Sequence, residues 1–275
     1  MRYLFFLFLF TLLMLNGCEK EYDFEFDNIH GKVLALGHGG MGLYHKYPIN
    51  TFESVKNSIS IGADGTEIDV QMTKDGVLFA FHDEMMDRRT NLTGKLHSKN
   101  YKEVELALYD KLPNGEFNIV TLSELFSHIP NITKYHFSFD CKLFPAVTDT
   151  ANYYKEFAKS VTEIVTYFGL NENVFIESRE PEFLLEIKQL DADLKLFYYA
   201  TSFSDAMTVT NQYDFHGIVI DGDKVSQAQI SELHGRNLLV SIFGVKTKRG
   251  NIEFIRKNPD MIQSDHLSSL VSLLK

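Results

Sequence analysis

Cysteine is scarce in this chain of 275 residues, which contains only Cys18 and Cys141. The residues before Cys18 predict that its thiol carries lipid. Cys141 is then left without a cysteine partner, so an intramolecular disulfide is excluded even in an oxidising compartment. The stability of the fold must therefore come from a hydrophobic core, for which 44% hydrophobic residues are available.

Positive charge is also in short supply. The sequence has 27 Lys and Arg residues against 37 Asp and Glu residues, and its formal net charge is −10. A protein that binds nucleic acid needs a basic surface for the phosphate backbone, and this chain has no basic cluster. We therefore expect no nucleic-acid partner. An anionic substrate would need a local concentration of positive charge.

Long hydrophobic runs are missing except near the N-terminus. Residues 3–15 are apolar but fall short of the roughly 20 residues that a transmembrane helix needs, so residues 1–17 are predicted to be a signal peptide. The sequence Leu-Asn-Gly-Cys at 15–18 resembles a bacterial lipobox, which implies cleavage before Cys18 and lipid attachment there. An ordinary signal peptide with a chance cysteine is the alternative. The lipobox predicts a lipid anchor in a membrane of the bacterial cell envelope, facing the periplasm or the cell surface.

The segment after the lipobox is predicted to be a tether, at residues 18–31. It is acidic and has no turn or capping signal, so we expect a solvated segment that lifts the domain off the bilayer. A surface-export signal is the alternative interpretation. The remaining residues, 32–275, have the length of one large α/β domain.

Apolar runs that are typical of strands alternate with helical patterns along this domain. The predicted parallel strands are 33–36, 66–70, 135–141, 174–177, 194–199, 217–220, 238–243 and 261–263. The predicted helices are 51–61, 122–128, 150–168, 182–190, 203–211, 226–234, 252–257 and 267–274. Eight such units predict a closed (β/α)₈ TIM barrel rather than an open sheet.

Two acidic residues stand out on the second predicted strand. Glu67 and Asp69 are two residues apart, so both side chains point to the same face of a segment apolar enough to be buried. Burying unpaired carboxylates is costly, which implies a metal ion or a cationic group beside them. The next apolar run, 77–81, begins too soon for a helical crossover. It is therefore predicted to return as an antiparallel hairpin strand that carries His82 back toward the acids.

Further polar residues follow other strands at the predicted C-terminal mouth of the barrel, where TIM-barrel chemistry takes place. Asp140 and Lys142 alternate inward on the third parallel strand. Together with Glu67 and Asp69, Asp140 offers oxygen ligands, which suit a hard cation such as Ca²⁺ or Mg²⁺. A structural salt-bridge cluster with Lys142 is the alternative interpretation.

Two histidines are candidates for acid–base chemistry, because an imidazole titrates near neutral pH and can move a proton in either direction. His38 follows the first strand in a glycine-rich loop, and His82 ends the hairpin. A single histidine is usually structural. Two histidines that flank a group of carboxylates at strand ends favour catalysis.

These motifs together resemble the glycerophosphodiester phosphodiesterase family. The matching motifs are Gly-His-Gly-Gly at 37–40, Pro-Ile-Asn-Thr at 48–51, Glu-Ile-Asp at 67–69, Thr-Lys-Asp-Gly at 73–76, His-Asp at 82–83 and Asp-Cys-Lys at 140–142. The resemblance is strong from about Val33 to Lys142 and fades after it.

The resemblance implies an enzyme of lipid metabolism that uses a divalent cation to hydrolyse a small glycerophosphodiester. The products would be glycerol 3-phosphate and an alcohol, and the nucleophile is either water or a substrate hydroxyl that forms a cyclic phosphate. The residues that match the family's metal ligands are Glu67, Asp69 and Asp140. The acid–base pair corresponds to His38 and His82, and Lys142 corresponds to a contact with a phosphate oxygen.

The chain departs from the family pattern at several positions. The arginine that commonly follows the first histidine is Gly39 here, and the glutamate usual between proline and asparagine is Ile49. Loss of the arginine removes a bidentate phosphate donor. Arg179, after the fourth strand, would restore that charge. The alternative is a surface arginine paired with Glu180 or Glu182.

Two other functions remain open from the sequence. A phospholipase C- or D-like enzyme shares the barrel and the paired histidines, but intact lipid requires an apolar rim at the mouth. The candidates for that rim are Met41, Leu43, Tyr44, Met85 and Met86. A non-catalytic envelope lipoprotein that binds an anion is the second alternative, favoured by the lost arginine and opposed by retention of the acidic and histidine positions.

Overall fold

Twelve strands are present among the residues that the computed structural model describes, which are 22, 24–29, 31–110 and 117–275. In chain order they are β1 (Leu34–Gly37), β2 (Gly65–Met72), β3 (Leu78–Ala80), β4 (Leu108–Tyr109), β5 (Phe117–Asn118), β6 (Val120–Thr121), β7 (His136–Cys141), β8 (Val174–Ser178), β9 (Lys195–Ala200), β10 (Gly217–Asp221), β11 (Leu239–Val245) and β12 (Met261–Ser264).

Eight of these strands form a closed parallel barrel. The sheet runs in the order β1, β12, β11, β10, β9, β8, β7 and β2, and a parallel pairing between β1 and β2 closes it. The predicted TIM barrel is therefore confirmed, and all eight predicted strands coincide with barrel strands.

The extra strands lie beside β2. A turn at 73–77 brings β3 back antiparallel to β2, with Val70 opposite Ala80, which confirms the predicted hairpin. The β6 strand pairs with β3, and β4 pairs with β5 in a separate two-stranded sheet. The sequence did not predict β4 to β6, because strands of two residues are too short to show an alternating pattern.

The helices alternate with the barrel strands and cover them from outside. They are α1 (Phe52–Ser60), α2 (Tyr101–Val104), α3 (Leu122–Ser127), α4 (Thr150–Tyr167), α5 (Pro181–Leu190), α6 (Phe203–Gln212), α7 (Gln227–His234), α8 (Lys248–Ile255) and α9 (Leu267–Leu274). None of the helices in the described part of the chain is both long and apolar enough to cross a membrane.

The predicted bounds of α8 were wrong by about one turn at its start. The helix begins at Lys248 and not at residue 252, because the Thr247 hydroxyl accepts a hydrogen bond from the backbone N–H of Gly250 and caps it. The apolar pattern of Phe254 and Ile255 marks only the buried second half of this helix.

Apolar side chains fill two layers. Phe137 and Phe139 of β7 point outward and pack against Phe126 of α3 in the layer between strands and helices. A second cluster formed by strand residues, including Phe175 and Phe197, fills the inside of the barrel. The interior becomes polar toward the C-terminal ends of the strands, so the mouth rests on a rigid apolar base.

The segment before β1 contacts the barrel. Phe24 and Phe26 pack against the core, and the buried Asn28 side chain donates hydrogen bonds to the carbonyls of Lys32 and Pro259, each at 2.8 Å. For residues 24–29, which we call the N-terminal strap, the structure therefore differs from the predicted solvated tether. The reason is that aromatic residues alternate with the acidic ones and supply an apolar face. The signal peptide and Cys18 lie outside the described residues.

Candidate active site

Three buried carboxylates meet at the mouth of the barrel. Glu67 and Asp69 lie on β2, and the parallel register places Asp140 of β7 directly beside Asp69. One carboxylate oxygen from each residue lies within 4.8 Å of the others. The structure therefore brings together the three acids that the sequence selected.

The loop after β1 holds two of these carboxylates. The backbone N–H of Gly39 donates to Glu67 Oε2 at 2.7 Å. The Asn50 side chain donates to Asp69 Oδ2 at 2.6 Å and accepts from the backbone N–H of Asp69 at 3.0 Å. The motifs at 37–40 and 48–51 thus orient the acids of the second strand.

Lys142 supplies positive charge to this cluster. Its Nζ lies 3.0 Å from Asp69 Oδ1 and 2.5 Å from Asp140 Oδ2. Burial acts to lower the pKa of Lys142, but the charges of Asp69 and Asp140 outweigh it and raise that pKa. The lysine therefore stays protonated and neutralises one of the carboxylates.

The net negative charge of the cluster and its available carboxylate oxygens suit a divalent cation. Three carboxylates against one ammonium leave an excess of negative charge, and burial together with Asp69 and Asp140 raises the pKa of Glu67 well above its usual value. Glu67 Oε1 is buried and accepts no hydrogen bond from the described residues. An all-oxygen set of this kind suits Ca²⁺ or Mg²⁺. A salt-bridge cluster with Lys142 alone would leave Glu67 uncompensated.

His38 is held by a buried aspartate. Its Nδ1 lies 2.7 Å from Asp265 Oδ1, and the same oxygen accepts the backbone N–H of Leu43 at 3.0 Å. Burial acts to lower the pKa of His38, but the hydrogen bond and charge of Asp265 reverse this and leave it raised. The contact leaves Nε2 as the ring nitrogen available to a substrate.

His82 is held in the same way, but at the surface. Its Nδ1 lies 2.8 Å from Asp83 Oδ1, and Asp83 Oδ2 lies 3.4 Å from Arg89 Nε. The Gln71 side chain on β2 donates to the carbonyls of Phe81 and Asp83, both at 2.9 Å. These bonds fix the chain that carries His82.

Both histidines line one cavity of about 400 Å³. Tyr47, Phe81 and Tyr109 give it aromatic walls, and the cations that line it are Lys46 and Arg89. Burial acts to raise the pKa of Asp69, but Lys142, His82 and His38 lower it, so the imidazoles lie close enough to the acids to act on them. The cavity therefore suits an organic anion.

Arg179 lies outside this cavity, after β8 at the rim of the barrel. Its Cζ lies 4.3 Å from the centre of the Tyr199 ring, and that ring packs edge-on against Phe243. Within the described residues, the ion pairs do not include Arg179 with Glu180 or Glu182. The arginine is thus a cation packed on an aromatic side chain at the mouth.

Glu177 was not predicted from the sequence. It lies on β8 beside Asp140 and is buried, and its Oε1 accepts hydrogen bonds from the Ser138 hydroxyl and, at 2.8 Å, from the Gln263 side chain. Burial, with the charge of Asp140, raises the pKa of Glu177 to about 8. The sequence signal that indicates it is the two-residue spacing of Phe175 and Glu177, which places both side chains on the inward face of one apolar strand.

Other contacts of the site link distant parts of the chain. Asn50 lies 19 residues from its partner Asp69, and Asp265 lies 227 residues from His38. Arg89 reaches Asp83 across a short turn. Nothing in the local sequence pattern indicates such pairings.

We expect the substitution Glu177→Gln to remove a pH-dependent loss of stability in the metal-free protein. Below pH 4.5, the ordinary pKa of a glutamate, Glu177 is protonated in both the folded and the unfolded protein. Between pH 4.5 and about 8, it keeps the proton only in the folded protein. Folding stability must therefore fall as pH rises through that window, by on the order of a few kcal/mol.

A glutamine at this position can still accept the bonds from Ser138 and Gln263, so the variant should show a flatter stability profile from pH 5 to 8. Urea unfolding across this range, with chelator present, measures the difference. The exposed Glu182 offers a control, as Glu182→Gln should follow the parent protein. Parallel profiles for Glu177→Gln and the parent would contradict the buried-proton assignment.

Comparison with known proteins agrees with this geometry. The chain matches the model of the Glycerophosphoryl diester phosphodiesterase family over residues 41–268. A glycerophosphodiester phosphodiesterase of Bacillus altitudinis is 28% identical over 142 residues, which are 50% of this chain and 55% of the relative. That of Caldanaerobacter subterraneus subsp. tengcongensis is 30% identical over 60% of this chain and 65% of the relative. The matched part thus spans between half and two thirds of these relatives.

Solved structures share the fold over nearly the whole domain. A phosphodiesterase of Oleispira antarctica, in complex with the product sn-glycerol-3-phosphate, has a TM-score of 0.75 at 19% identity and covers 88% of this chain and 96% of its own. A glycerophosphodiester phosphodiesterase of Agrobacterium tumefaciens has a TM-score of 0.68 at 21% identity, covering 87% of this chain and 99% of its own. At these identities the likeness establishes the barrel architecture.

Proposed function

The chain belongs to the glycerophosphoryl diester phosphodiesterase family, and on this premise we propose that it hydrolyses glycerophosphodiesters to glycerol 3-phosphate and an alcohol, with a divalent cation. The observation that carries the proposal is the convergence of two carboxylate-held histidines on one cavity next to three buried acids. The glycerol 3-phosphate in the Oleispira antarctica phosphodiesterase supports this choice of substrate.

Glu67, Asp69 and Asp140 would hold the cation, which is Ca²⁺ or Mg²⁺. When bound, the cation would neutralise charge on the non-bridging phosphate oxygens and polarise the phosphorus centre. Lys142 would contact a phosphate oxygen and stabilise the charge that grows there in the transition state. Its protonated state, which Asp69 and Asp140 maintain, is what this role requires.

His38 and His82 would move the protons. Each imidazole has its Nδ1 held by an aspartate, so each presents Nε2 to the cavity in a fixed orientation. One histidine accepts the proton of the attacking hydroxyl, of water or of the substrate, as that oxygen bonds to phosphorus. The other donates a proton to the departing alkoxide as its bond to phosphorus breaks.

The charge of the missing arginine would come from other positions. A Cβ at Gly39 would lie 2.4 Å from the Cβ of Ile49, so the loop leaves no space for a side chain at that point. Arg89 and Lys46 line the cavity with the histidines, and Arg179 stands at the rim of the mouth. We assign both Arg179 and Arg89 to substrate binding.

Exposed apolar residues at the mouth favour a second candidate function, cleavage of intact lipid. Leu43, Tyr44 and Met85 are 46%, 67% and 39% exposed, as an apolar rim requires. Met41 and Met86 are buried in the core and do not belong to the rim, which corrects that part of the expectation. Met41 packs in the core between strands and helices, and Met86 packs in a separate buried cluster with Phe79 and Phe81.

The cellular setting is part of the same proposal. The signal peptide, the lipobox and the acidic segment after it support a lipoprotein anchored through Cys18 in the bacterial cell envelope. The catalytic domain, residues 32–275, would then meet its substrate outside the cytoplasm.

Hydrolysis of glycerophosphocholine and of bis(p-nitrophenyl) phosphate by the full chain tests the proposed function. We expect turnover with Ca²⁺ or Mg²⁺, its loss with EDTA, and at least about a 100-fold decrease in kcat/KM for Glu67→Gln, because that carboxylate would ligate the cation. No turnover with any metal would reject the enzyme. Turnover that EDTA leaves intact would reject the metal, and faster cleavage of phospholipid vesicles would favour the second candidate.

The substitution Asp265→Asn should change the pH dependence of catalysis. Removal of the Asp265 charge lowers the pKa of His38, so the limb of the pH–rate profile that His38 controls shifts to lower pH. A shift of the acidic limb would identify His38 as the base, and a shift of the alkaline limb would identify it as the acid. We also expect kcat to fall by about 10²-fold, because the imidazole loses its orientation.

A histidine–aspartate contact at the other end of the barrel provides the control for this measurement. His234 Nε2 lies 3.0 Å from Asp260 Oδ2, far from the mouth, so His234→Gln should leave both limbs in place. Limbs that stay fixed in Asp265→Asn would show that Asp265 has only a structural role.

Loss of a phosphate-binding arginine should act mainly on KM. For Arg179→Gln and Arg89→Gln we expect KM to rise roughly 10- to 100-fold with a smaller change in kcat, because each substitution removes a charge-assisted bond to the diester. Arg236, on the opposite end of the barrel beside Asn211, offers a matched control in Arg236→Gln. An unchanged KM in Arg179→Gln would make Arg179 a surface residue and leave recognition to Arg89.

A further inference from the structure

The small sheet of β4 and β5 places a tyrosine in the cavity that both candidate histidines line. Tyr109 lies on β4, opposite Phe117 of β5, and its side chain forms part of the cavity wall together with His38 and His82. This sheet belongs to the segment between β3 and β6 and is separate from the barrel. Tyr109 is therefore a cavity residue that no barrel strand carries, and the mechanism proposed above leaves it without a role.

The ring of Tyr109 is held in place on two sides. Its centroid lies 6.0 Å from that of Phe81, and both rings belong to one buried cluster. The backbone N–H of Phe81 donates to the carbonyl of Asp69 at 2.9 Å, which ties this cluster to the strand of the buried acids. Next to Tyr109, the backbone N–H of Leu108 donates to Asn91 Oδ1 at 3.0 Å. The ring therefore has little freedom to move.

The hydroxyl of Tyr109 lacks a partner in the described part of the chain. The residue is only 4% exposed, yet none of the described side chains or backbone groups forms a hydrogen bond with this hydroxyl. The similarly buried Tyr198, by contrast, donates from its hydroxyl to Asp205 at 3.2 Å. Buried hydroxyls normally have a hydrogen-bond partner. Because Tyr109 lines a cavity, a bound molecule can supply the partner that the protein does not.

This hydroxyl stays protonated at neutral pH. Burial raises the pKa of Tyr109, and the charges of Asp69 and Asp83 raise it further, whereas the charge of Arg89 acts to lower it. The phenol is therefore a neutral hydrogen-bond donor and does not transfer protons. Its strongest acceptor would be an oxygen with negative charge, because hydrogen bonds to charged groups are stronger than those to neutral ones.

We propose that the Tyr109 hydroxyl donates a hydrogen bond to a non-bridging phosphate oxygen of the bound diester, which makes Tyr109 a further substrate-binding residue. The identity of this ligand rests on the proposed function. Among the charged groups, Asp69 has the largest influence on the hydroxyl, which is therefore close to the acids where the phosphate would bind. Tyr109 would then add a neutral donor to the charges of Lys142 and Arg89 at the same phosphate.

The substitution Tyr109→Phe removes the hydroxyl and keeps the ring in its buried cluster. We expect kcat/KM for glycerophosphocholine to fall about 10- to 100-fold, because a hydrogen bond to a charged oxygen is lost. The dissociation constant of sn-glycerol 3-phosphate, measured by calorimetry with Mg²⁺ and in a second series with Ca²⁺, should rise at least about tenfold. The Tm should fall by no more than about 2 °C, since no partner within the protein is lost.

A tyrosine in contact with the same cluster provides the matched control. The ring of Tyr101 packs against Phe79 with centroids 6.2 Å apart, but Tyr101 is not among the described residues that line the cavity. Tyr101→Phe should therefore keep the kcat/KM and the ligand affinity of the parent protein. Equal behaviour of Tyr101→Phe and Tyr109→Phe would overturn the assignment.

Inorganic phosphate separates a contact with the phosphate from a contact with the glycerol. Its dissociation constant should also rise in Tyr109→Phe, and a loss confined to glycerol 3-phosphate would overturn the phosphate contact. The affinity measurements do not depend on turnover. Weaker phosphate binding by Tyr109→Phe, in a protein that cleaves no diester, would reject the proposed function and leave the contact standing. An active parent with an equally active Tyr109→Phe variant would reject the contact and leave the proposed function standing.

Discussion

The mutual repulsion of Glu67, Asp69 and Asp140 is the constraint on which the site depends. Three carboxylates in one buried place are unstable unless backbone, side-chain and cationic groups compensate them. The loop after β1 contributes the Gly39 N–H and the Asn50 amide, and Lys142, directly after β7, contributes its ammonium group. Because this compensation is incomplete, the cluster retains an affinity for positive charge.

The same arrangement separates two requirements of phosphodiester chemistry. In the proposed function, charge stabilisation would be concentrated in the buried acids and Lys142, whereas proton transfer would belong to His38 and His82 in the adjoining cavity. The rigid barrel connects them, because every strand that contributes a residue is paired on both sides. The apolar cluster that fills the inside of the barrel, which includes Phe175 and Phe197, gives these side chains a close-packed support below the mouth.

Sequence patterns were sufficient for the barrel and for residues that repeat at strand spacing. Glu67 with Asp69, and Asp140 with Lys142, were found because two-residue alternation determines which face a side chain occupies. The contact between Asp265 and His38 could not be predicted, because the two residues are 227 positions apart and no local pattern indicates the pairing. The acidic residues of the strap predict a solvated tether, whereas the alternation of Phe24 with Phe26 gives it the apolar face that packs against the core.

The close packing of Gly39 against Ile49 has an evolutionary consequence. The two departures from the family pattern, a missing arginine and a missing glutamate, occupy positions that touch each other. Gly39 has a φ of +55°, so any side chain there would meet both an unfavourable backbone and the Cβ of Ile49. Every residue other than glycine carries that Cβ, so a change of Ile49 to glutamate would not make room for an arginine at position 39. The family arginine could therefore return only if the backbone of this loop also moved, and substitution of these two side chains alone would not restore it.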